Sequence, residues 1–399
     1  MSHDSLKRRA VRAGVAAFGC DWLVDGWAIA PGRIELIGNH IDYNGGPVLA
    51  AAIDRVVVVG SGNLNAPRDI CMVAADVNGQ RHTFDALTLG DWRAGEGDSG
   101  PVVYLKGVVA ALIARGIPFR AGVGLAISGD VPRGFGMSSS AALCIATLLA
   151  LTVDEIEPLD MVAIAREAEH RAGSPVGAMD QSASVAGEVI RFDGRDNSFS
   201  RLSPSLGDLV FAVASSGVGR SLRTSSYGAR VRETEEARQI LADAYDLDLP
   251  HLSALTPHWD NVMPTIHSHL NQTLLKRVRH VVSETRRVGK AETAMRAGDW
   301  SRFGRLMNAS GESSARDYEI SHSRVEALVH LLREQEGVLG ARMMGGGEGG
   351  PALALLHKDA VSSVSNRLER EFYNSRKMAT DTTVLQRCVF GPGAHREDA

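Results

Sequence analysis

Residues 131–143 read Val-Pro-Arg-Gly-Phe-Gly-Met-Ser-Ser-Ser-Ala-Ala-Leu. An apolar run, Gly122 to Ser128, enters this stretch as a strand, and an apolar helix, Ala141 to Thr152, leaves it. Gly134 and Gly136 let the backbone approach a ligand and turn N–H groups toward it. The helix start adds unpaired N–H groups and a partial positive charge, which together suit phosphate. Ser138, Ser139 and Ser140 can cap the helix, or one can coordinate Mg2+ beside a nucleotide. Gly-Lys-Ser/Thr does not occur here, so this is not a Walker A loop. A glycine turn with a serine cap is the plain alternative unless other stretches agree.

Working outward, the signals predict an N-terminal helix, Ser5 to Phe18, and a strand pair over Trp27 to Gly38 broken at Pro31-Gly32. Arg55 to Ser61 and Ile70 to Val77 read as strands, and Val102 to Arg115 as a helix closed by Gly116. Pro158 to Ala172 is a further helix; Glu188 to Phe192 and Leu209 to Ser215 are strands. The second half carries helical periodicity over Arg230–Tyr245, Leu270–Arg287, Lys290–Ala297, Trp300–Ser313 and Ser323–Glu336. A strand over Ala352 to His357, a helix over Ala360 to Tyr373 and a strand over Thr383 to Phe390 close the chain. Strands and helices mix without βαβ alternation, which predicts α+β layering in two domains. The pattern loosens near Ser200 to Gly207, so the domains are expected at 1–205 and 206–399.

Composition excludes several classes. A chain of 399 residues with 44% hydrophobic and 23% charged residues is that of a globular protein. A net charge of −4 argues against a sequence-blind nucleic-acid binder. The longest apolar run, Ala141 to Val153, is too short to span a bilayer, so no membrane partner is expected. Cys20, Cys71, Cys144 and Cys388 lack metal or redox spacing and read as free thiols of a cytoplasmic protein. Met1 to Gly19 has four basic residues but no apolar core, so it reads as a surface helix and not a secretory signal.

Four further stretches carry polar groups with chemical potential. Residues 30–46 crowd Arg33, Asn39, His40, Asp42, Tyr43 and Asn44 between apolar strands and glycines. Asn39 and Asp42 could bond vicinal hydroxyls of a sugar, and Arg33 could neutralise a transferring phosphoryl group. His40 could pin the loop or touch ligand. Residues 166–184 place Glu167 and Glu169 at a helix end, where the dipole disfavours negative charge and a cation ligand becomes an option. Asp180, beside Ala178-Met179, would need a partner such as Arg33 or a substrate hydroxyl. Tyr227, in the segment 225–230, could cover a sugar edge or pack at a domain seam. Gly345 to Gly350 holds five glycines in six positions, a loop that allows close approach to a ligand or serves as a flexible connection.

In this order the stretches resemble the galactokinase branch of the GHMP small-molecule kinases. Pro31-Gly32-Arg33 through Gly46 resembles the galactokinase signature, Pro132 to Ala142 the shared phosphate loop, Gly177 to Gln181 the Gly-Ile-Met-Asp-Gln segment and Arg342 to Gly350 the third motif. The resemblance spans about residues 25–390. It implies a two-domain GHMP kinase fold, an N-terminal domain like ribosomal protein S5, and an active site between the domains. It implies ATP-dependent phosphorylation of galactose at the C1 hydroxyl, a step of galactose metabolism. Asp180 is then the base, and Arg33 lowers the hydroxyl's pKa and stabilises the transition state. Ser140 and Glu169 match Mg2+ ligands. Gly134, Phe135, Gly136, Met137, Ser138, Ser139 and Ser140, with Gly346 and Gly347, match the nucleotide site. Asn39, His40, Asp42, Gly177 and Tyr227 match sugar-site positions. The expected state is a monomer or weak homodimer.

The sequence also departs from the family pattern. Asn39 replaces the usual acid, while Glu35 stands where asparagine is usual. The loop between Glu169 and Asp180 is one residue short, Gly228 follows Tyr227 where Asn is common, and Glu348, Pro351 and Gly311 are further exchanges. Two alternatives follow: a kinase for a related sugar such as galacturonate, N-acetylgalactosamine or arabinose, or a catalytically silent sugar sensor.

Overall fold

The structure, a computed structural model, describes residues 3–174, 176–219, 226–378 and 384–399. Pro175, Ser225 and Thr383, which the sequence drew into the 173–177 loop, the 225–230 segment and the last predicted strand, lie outside these residues.

Strands β1 (Gly26–Ile37), β2 (Pro47–Asn63), β3 (Asp69–Ala74), β4 (Arg81–Asp85), β5 (Val123–Gly129), β6 (Val189–Asp193) and β7 (Ser198–Leu202) build one sheet. A second sheet holds β8 (Leu209–Ser215), β9 (Val338–Met343), β10 (Pro351–His357) and β11 (Leu385–Cys388), in the order β11-β8-β10-β9. The final strand, β12 (His395–Glu397), returns to the first sheet, whose order is β12-β1-β2-β5-β3-β4, with β6 and β7 branching from the long β2. Only β3 and β5 pair in parallel among the described strands.

Helices cover both sheets. Helix α1 (His3–Phe18) lies on β2, β3 and β5 through a separate small core of Leu6, Ala10, Trp22, Val58 and their neighbours. On the other face pack α2 (Pro101–Arg115), α3 (Ser139–Leu151), α4 (Pro158–Arg171) and α5 (Met179–Ala186). Helix α3 is buried on nearly every side, which explains why its sequence is apolar all round. The second half adds α6 (Tyr227–Tyr245), the short α7 (Trp259–Val262), α8 (Gln272–Arg296), α9 (Trp300–Arg316), α10 (Ser323–Arg333) and α11 (Val361–Leu368). Helices α8 and α9 touch β2 and β1, so the two halves share a seam along the strands that carry the first motif.

Several expectations need correction. Strand β1 is continuous through Pro31-Gly32, with register shifts between Pro31 and Arg33 and between Glu35 and Ile37. Pro31 is tolerated at such an irregularity because its missing N–H interrupts a ladder that is already offset. The two offsets bracket Arg33 and Glu35, which alternate onto one face of the strand. Helix α8 runs unbroken through Gly289; burial of Val288, Ala291, Ala294 and Met295 outweighs a glycine cost of about 1 kcal/mol. Helix α5, strand β4 and strand β9 carried no sequence signal strong enough to be expected. The predicted Ala360–Tyr373 helix is α11 followed by a π-turn over Glu369–Tyr373.

Candidate active site

The 132–138 loop turns on Gly134, Gly136 and Ser138, at φ of 79°, 63° and 56°. The first two positions are left-handed and suit glycine. The third does not, and Ser138 is held there by its side chain: its Oγ donates to Asp180 Oδ2 and makes no cap bond to α3. The loop also docks on β1. Arg33 N donates to the Met137 carbonyl at 3.0 Å, and a Cβ on Gly32 would lie 2.6 Å from the same oxygen. Gly32 is therefore required for the strand to lie against the loop.

Asp180 sits in the first turn of α5 and is gripped by Arg33 in a bidentate pair. Nε donates to Oδ1 at 2.8 Å and Nη2 to Oδ2 at 2.6 Å, while Nη1 donates to the Gly136 carbonyl. The guanidinium is almost fully buried, whereas a fifth of the Asp180 side chain stays exposed, at 21%. A planar fork of this kind fixes the carboxylate in orientation as well as in charge.

This pair stands where two cavities meet. One, of about 480 Å³, is lined by the loop from Pro132 to Ser140, by Glu169 and by residues 172–174. The other, of about 90 Å³, is lined by Glu35, His40, Asp42, Gly177, Tyr227, Gly345 and Gly346. Arg33, Val176 and Asp180 belong to both walls. A third cleft of about 370 Å³ adjoins the first through Gly100, Tyr104, Ser139 and Ser140, and it is apolar, walled by Val57, Ile127, Val131 and Leu143.

The small cavity is built from side chains. Burial pushes the Asp42 carboxyl up to about 6, and the charges of Glu35 and Asp180 push the same way. Gly177 admits that carboxylate, since a Cβ there would collide with Asp42 Oδ2. His40 occupies a left-handed conformation at φ 59°, and Asn44 holds its carbonyl at 2.9 Å. Its Nδ1 bonds Tyr43 Oη at 2.9 Å, and Tyr43 Oη bonds Tyr318 Oη at 2.8 Å. Tyr227 packs on His40 and Tyr43, with ring centroids 5.2 and 5.3 Å away. His280, on α8, supports the loop from behind. Its Nε2–H must donate to the Asn39 carbonyl at 3.0 Å, so Nδ1 accepts from Ser313 Oγ at 2.8 Å. Burial brings His280 down to about 3.

Glu169, near the end of α4, is buried and faces the large cavity beside Ser140. Burial raises its carboxyl to about 7; the Ser140 hydroxyl and Gln181, whose Nε2 donates at 2.6 Å, oppose that shift. Gln181 Oε1 is itself buried without a partner. A hydroxyl and a carboxylate on a phosphate-sized cavity are the hard oxygen donors that Mg2+ takes, so these residues fit such an ion. Glu167, the other acid of that helix end, pairs instead with Arg115 and Arg171.

Of the expected residues, Arg33, His40, Asp42, Gly177, Asp180 and Tyr227 converge on the small cavity. Gly134, Gly136, Met137, Ser138, Ser139, Ser140 and Glu169 line the large one. Phe135 instead packs its ring on the core. Gly346 lines the small cavity and not the phosphate side, and Gly347 lies behind it against Ile320. Asn39 is the clearest departure: it is fully buried, and its side chain is turned into a network with Glu35, Gly345 and Ser314. Sequence reasoning passed over Glu35, Tyr104, His280 and Arg342 as site residues. The alternation of Arg33 and Glu35 on one strand face was the available signal for the first.

Three family models match the chain: the galactokinase galactose-binding signature over residues 16–61, the GHMP kinases N terminal domain over 103–188 and the GHMP kinases C terminal domain over 291–374. The crystal structure of Methanococcus jannaschii mevalonate kinase superposes with a TM-score of 0.61 at 16% identity, covering 92% of this chain and 98% of that one. The fold is that of the GHMP kinases. Galactokinase of Staphylococcus carnosus is 33% identical over 86% of this chain and 88% of its own length. Galactokinase of Streptococcus thermophilus is 35% identical over 86% and 88%. The crystal structure of Lactococcus lactis galactokinase complexed with galactose superposes with a TM-score of 0.86 at 28% identity, covering 98% and 99%. The chain belongs to the galactokinase family.

Proposed function

We propose that this protein transfers the γ-phosphoryl group of ATP to the C1 hydroxyl of α-D-galactose, giving galactose 1-phosphate and ADP. The observation that carries the reading is the Asp180–Arg33 pair on the wall shared by a phosphate-sized cavity and a small polar one. The sugar occupies the small cavity, the triphosphate the large one and the nucleobase the apolar cleft.

Asp180 takes the proton of the C1 hydroxyl as the new O–P bond forms and the bond from Pγ to the β-phosphate oxygen breaks. Arg33, already placed against Asp180 and the Gly136 carbonyl, holds the carboxylate toward the hydroxyl and offers positive charge where charge develops. Ser138 fixes the second carboxylate oxygen. Loop N–H groups and the start of α3 hold the phosphates. Ser140 and Glu169 would hold Mg2+, which when bound neutralises charge on the β- and γ-phosphates. His40, Asp42, Tyr227 and the backbone at Gly177 orient the sugar. The dispersed free cysteines are in keeping with a reducing cytoplasm; no described helix is long and apolar enough to cross a membrane.

The test is ADP release with Mg-ATP across galactose, galactosamine, N-acetylgalactosamine, galacturonate, arabinose and glucose, beside Asp180→Asn. Galactose should give the highest kcat/KM, and Asp180→Asn should lose about 10³-fold in kcat. Another leading sugar would overturn the substrate. An active Asp180→Asn would overturn the base.

A further inference from the structure

We propose that Glu35, and not Asn39, is the acid that reads a hydroxyl of the sugar in this chain, and that it makes the site reject sugar acids. The proposal rests on the small cavity being the sugar site.

Asn39 is fully buried and does not line the cavity. Its Nδ2 donates to Glu35 Oε1 at 3.1 Å, to Glu35 Oε2 at 3.3 Å and to the Gly345 carbonyl at 3.1 Å. Its Oδ1 accepts from Ser314 Oγ at 3.4 Å. Both ends of the amide therefore face protein.

Glu35 is different. It is nearly buried, yet it lines the cavity together with Arg33, His40, Asp42, Asp180 and Tyr227. Arg342, from β9, is completely buried and reaches it across the seam. Nη2 donates to Glu35 Oε1 at 2.5 Å, and Nη1 donates to the carbonyls of Glu35 and Leu36 at 3.1 and 3.3 Å. Among the described residues, Oε1 thus holds two donors, while Oε2 holds only the longer Asn39 contact. A carboxylate oxygen accepts more than one bond, so Oε2 retains capacity for a hydroxyl. A carboxylate fixed by a buried arginine and an amide has little freedom left to lose when ligand arrives.

The charge balance sets the excluded class. Glu35, Asp42 and Asp180 are three carboxyl groups on one cavity of about 90 Å³; Arg33 is engaged by Asp180 and Arg342 by Glu35, which leaves Asp42 with no ion pair among the described residues. A neutral sugar brings hydroxyl donors to these acceptors. A uronate would bring a further carboxylate and no donor at that carbon, which is repelled in a poorly solvated site.

The experiment compares wild type, Glu35→Gln, Glu35→Asp and Asn39→Ala on galactose, its 2-, 3-, 4- and 6-deoxy analogues and galacturonate. Each is read as kcat/KM and as a calorimetric Kd, with Tm as the folding control. Wild type should lose about 30-fold on one deoxy sugar. In Glu35→Gln that penalty should shrink to about threefold, chiefly through a higher KM for galactose, and the margin against galacturonate should narrow. Glu35→Asp keeps the charge that Arg342 needs; it should shrink the same penalty and answers the question should the Gln variant not fold. Asn39→Ala should keep the penalty. The proposal is overturned if both Glu35 variants keep every deoxy penalty, or if Asn39→Ala abolishes one that they keep. Loss of galactose turnover in wild type would strike the sugar-kinase reading instead, and the Kd series would still decide the role of Glu35.

Discussion

The phosphate side and the sugar side of this site are built from different material. The phosphate cavity takes one wall from the continuous stretch 132–140, whose two left-handed glycines, left-handed serine and helix start present backbone, and adds Arg33, Glu169, residues 172–174 and Asp180 from elsewhere. The sugar cavity is lined mainly by residues with side chains, brought from β1, the loop after it, the 176–180 segment and α6, with the glycines at 177, 345 and 346 closing it. A backbone site depends on φ and on free N–H groups, so local sequence specifies it. A side-chain site depends on who pairs with whom across the fold, so a single exchange such as Glu35 with Asn39 can rewire it while the motif around it stays recognisable. Asp180 and Arg33 join the two, each supplied by one element and locked by the other.

Substitutions should separate the two regions, and the largest effect belongs at the joint. Arg33→Lys removes the bidentate fork while keeping a charge, and kcat should fall by about 100-fold or more with a smaller change in either KM. A loss confined to one KM would mean that the joint serves only one side. Gly177→Ala drives a methyl into the Asp42 carboxylate, so KM for galactose should rise by about tenfold while KM for ATP stays within twofold in steady-state assays. Equal rises in both would erase the distinction between the regions. Ser138→Ala removes one of two donors on Asp180 Oδ2, leaving Arg33 Nη2 there, and changes nothing in the sugar cavity, so kcat should fall by about tenfold with KM for galactose unchanged.

The smallest effect concerns support of the sugar side. His280 carries a folded pKa of about 3, below its ordinary 6.5, so the unfolded chain takes the proton first. Its contribution to stability is complete above pH 6.5 and is lost as pH falls toward 3, amounting to about 2 kcal/mol at pH 5. The Tm gap between wild type and His280→Gln should therefore narrow from pH 7 to pH 5. A gap that is constant or widens would show that His280 does not stand neutral behind Asn39.

Legibility in the sequence follows the same division. The phosphate loop and α3 were readable because glycines, serines and an apolar helix lie within one short window. The Asp180–Arg33 pair was readable because a buried acid needs a partner and an arginine lay in a crowded polar stretch. The continuity of β1 was hidden by Pro31-Gly32, since an irregular ladder and a chain break share the same local residues. Helix α5 was hidden because it is short, starts at Ala178 without a capping side chain and takes its stability from burial. The turning of Asn39 away from the cavity was beyond local reading altogether. It is set by Arg342, Gly345 and Ser314, which lie some three hundred residues along the chain and meet Glu35 and Asn39 only at the seam.

The most direct test of the central claim is phosphorus and proton NMR of the products of wild type and Asp180→Asn incubated with Mg-ATP and galactose, alongside calorimetric binding of each ligand. Wild type should form galactose 1-phosphate and ADP. Asp180→Asn should bind both ligands within about tenfold of wild type, keep its fold and form both products about 10³-fold more slowly. Phosphorylation by the variant at a comparable rate, or by wild type at a carbon other than C1, would contradict the assignment of the Asp180–Arg33 pair as the joint between phosphate and sugar.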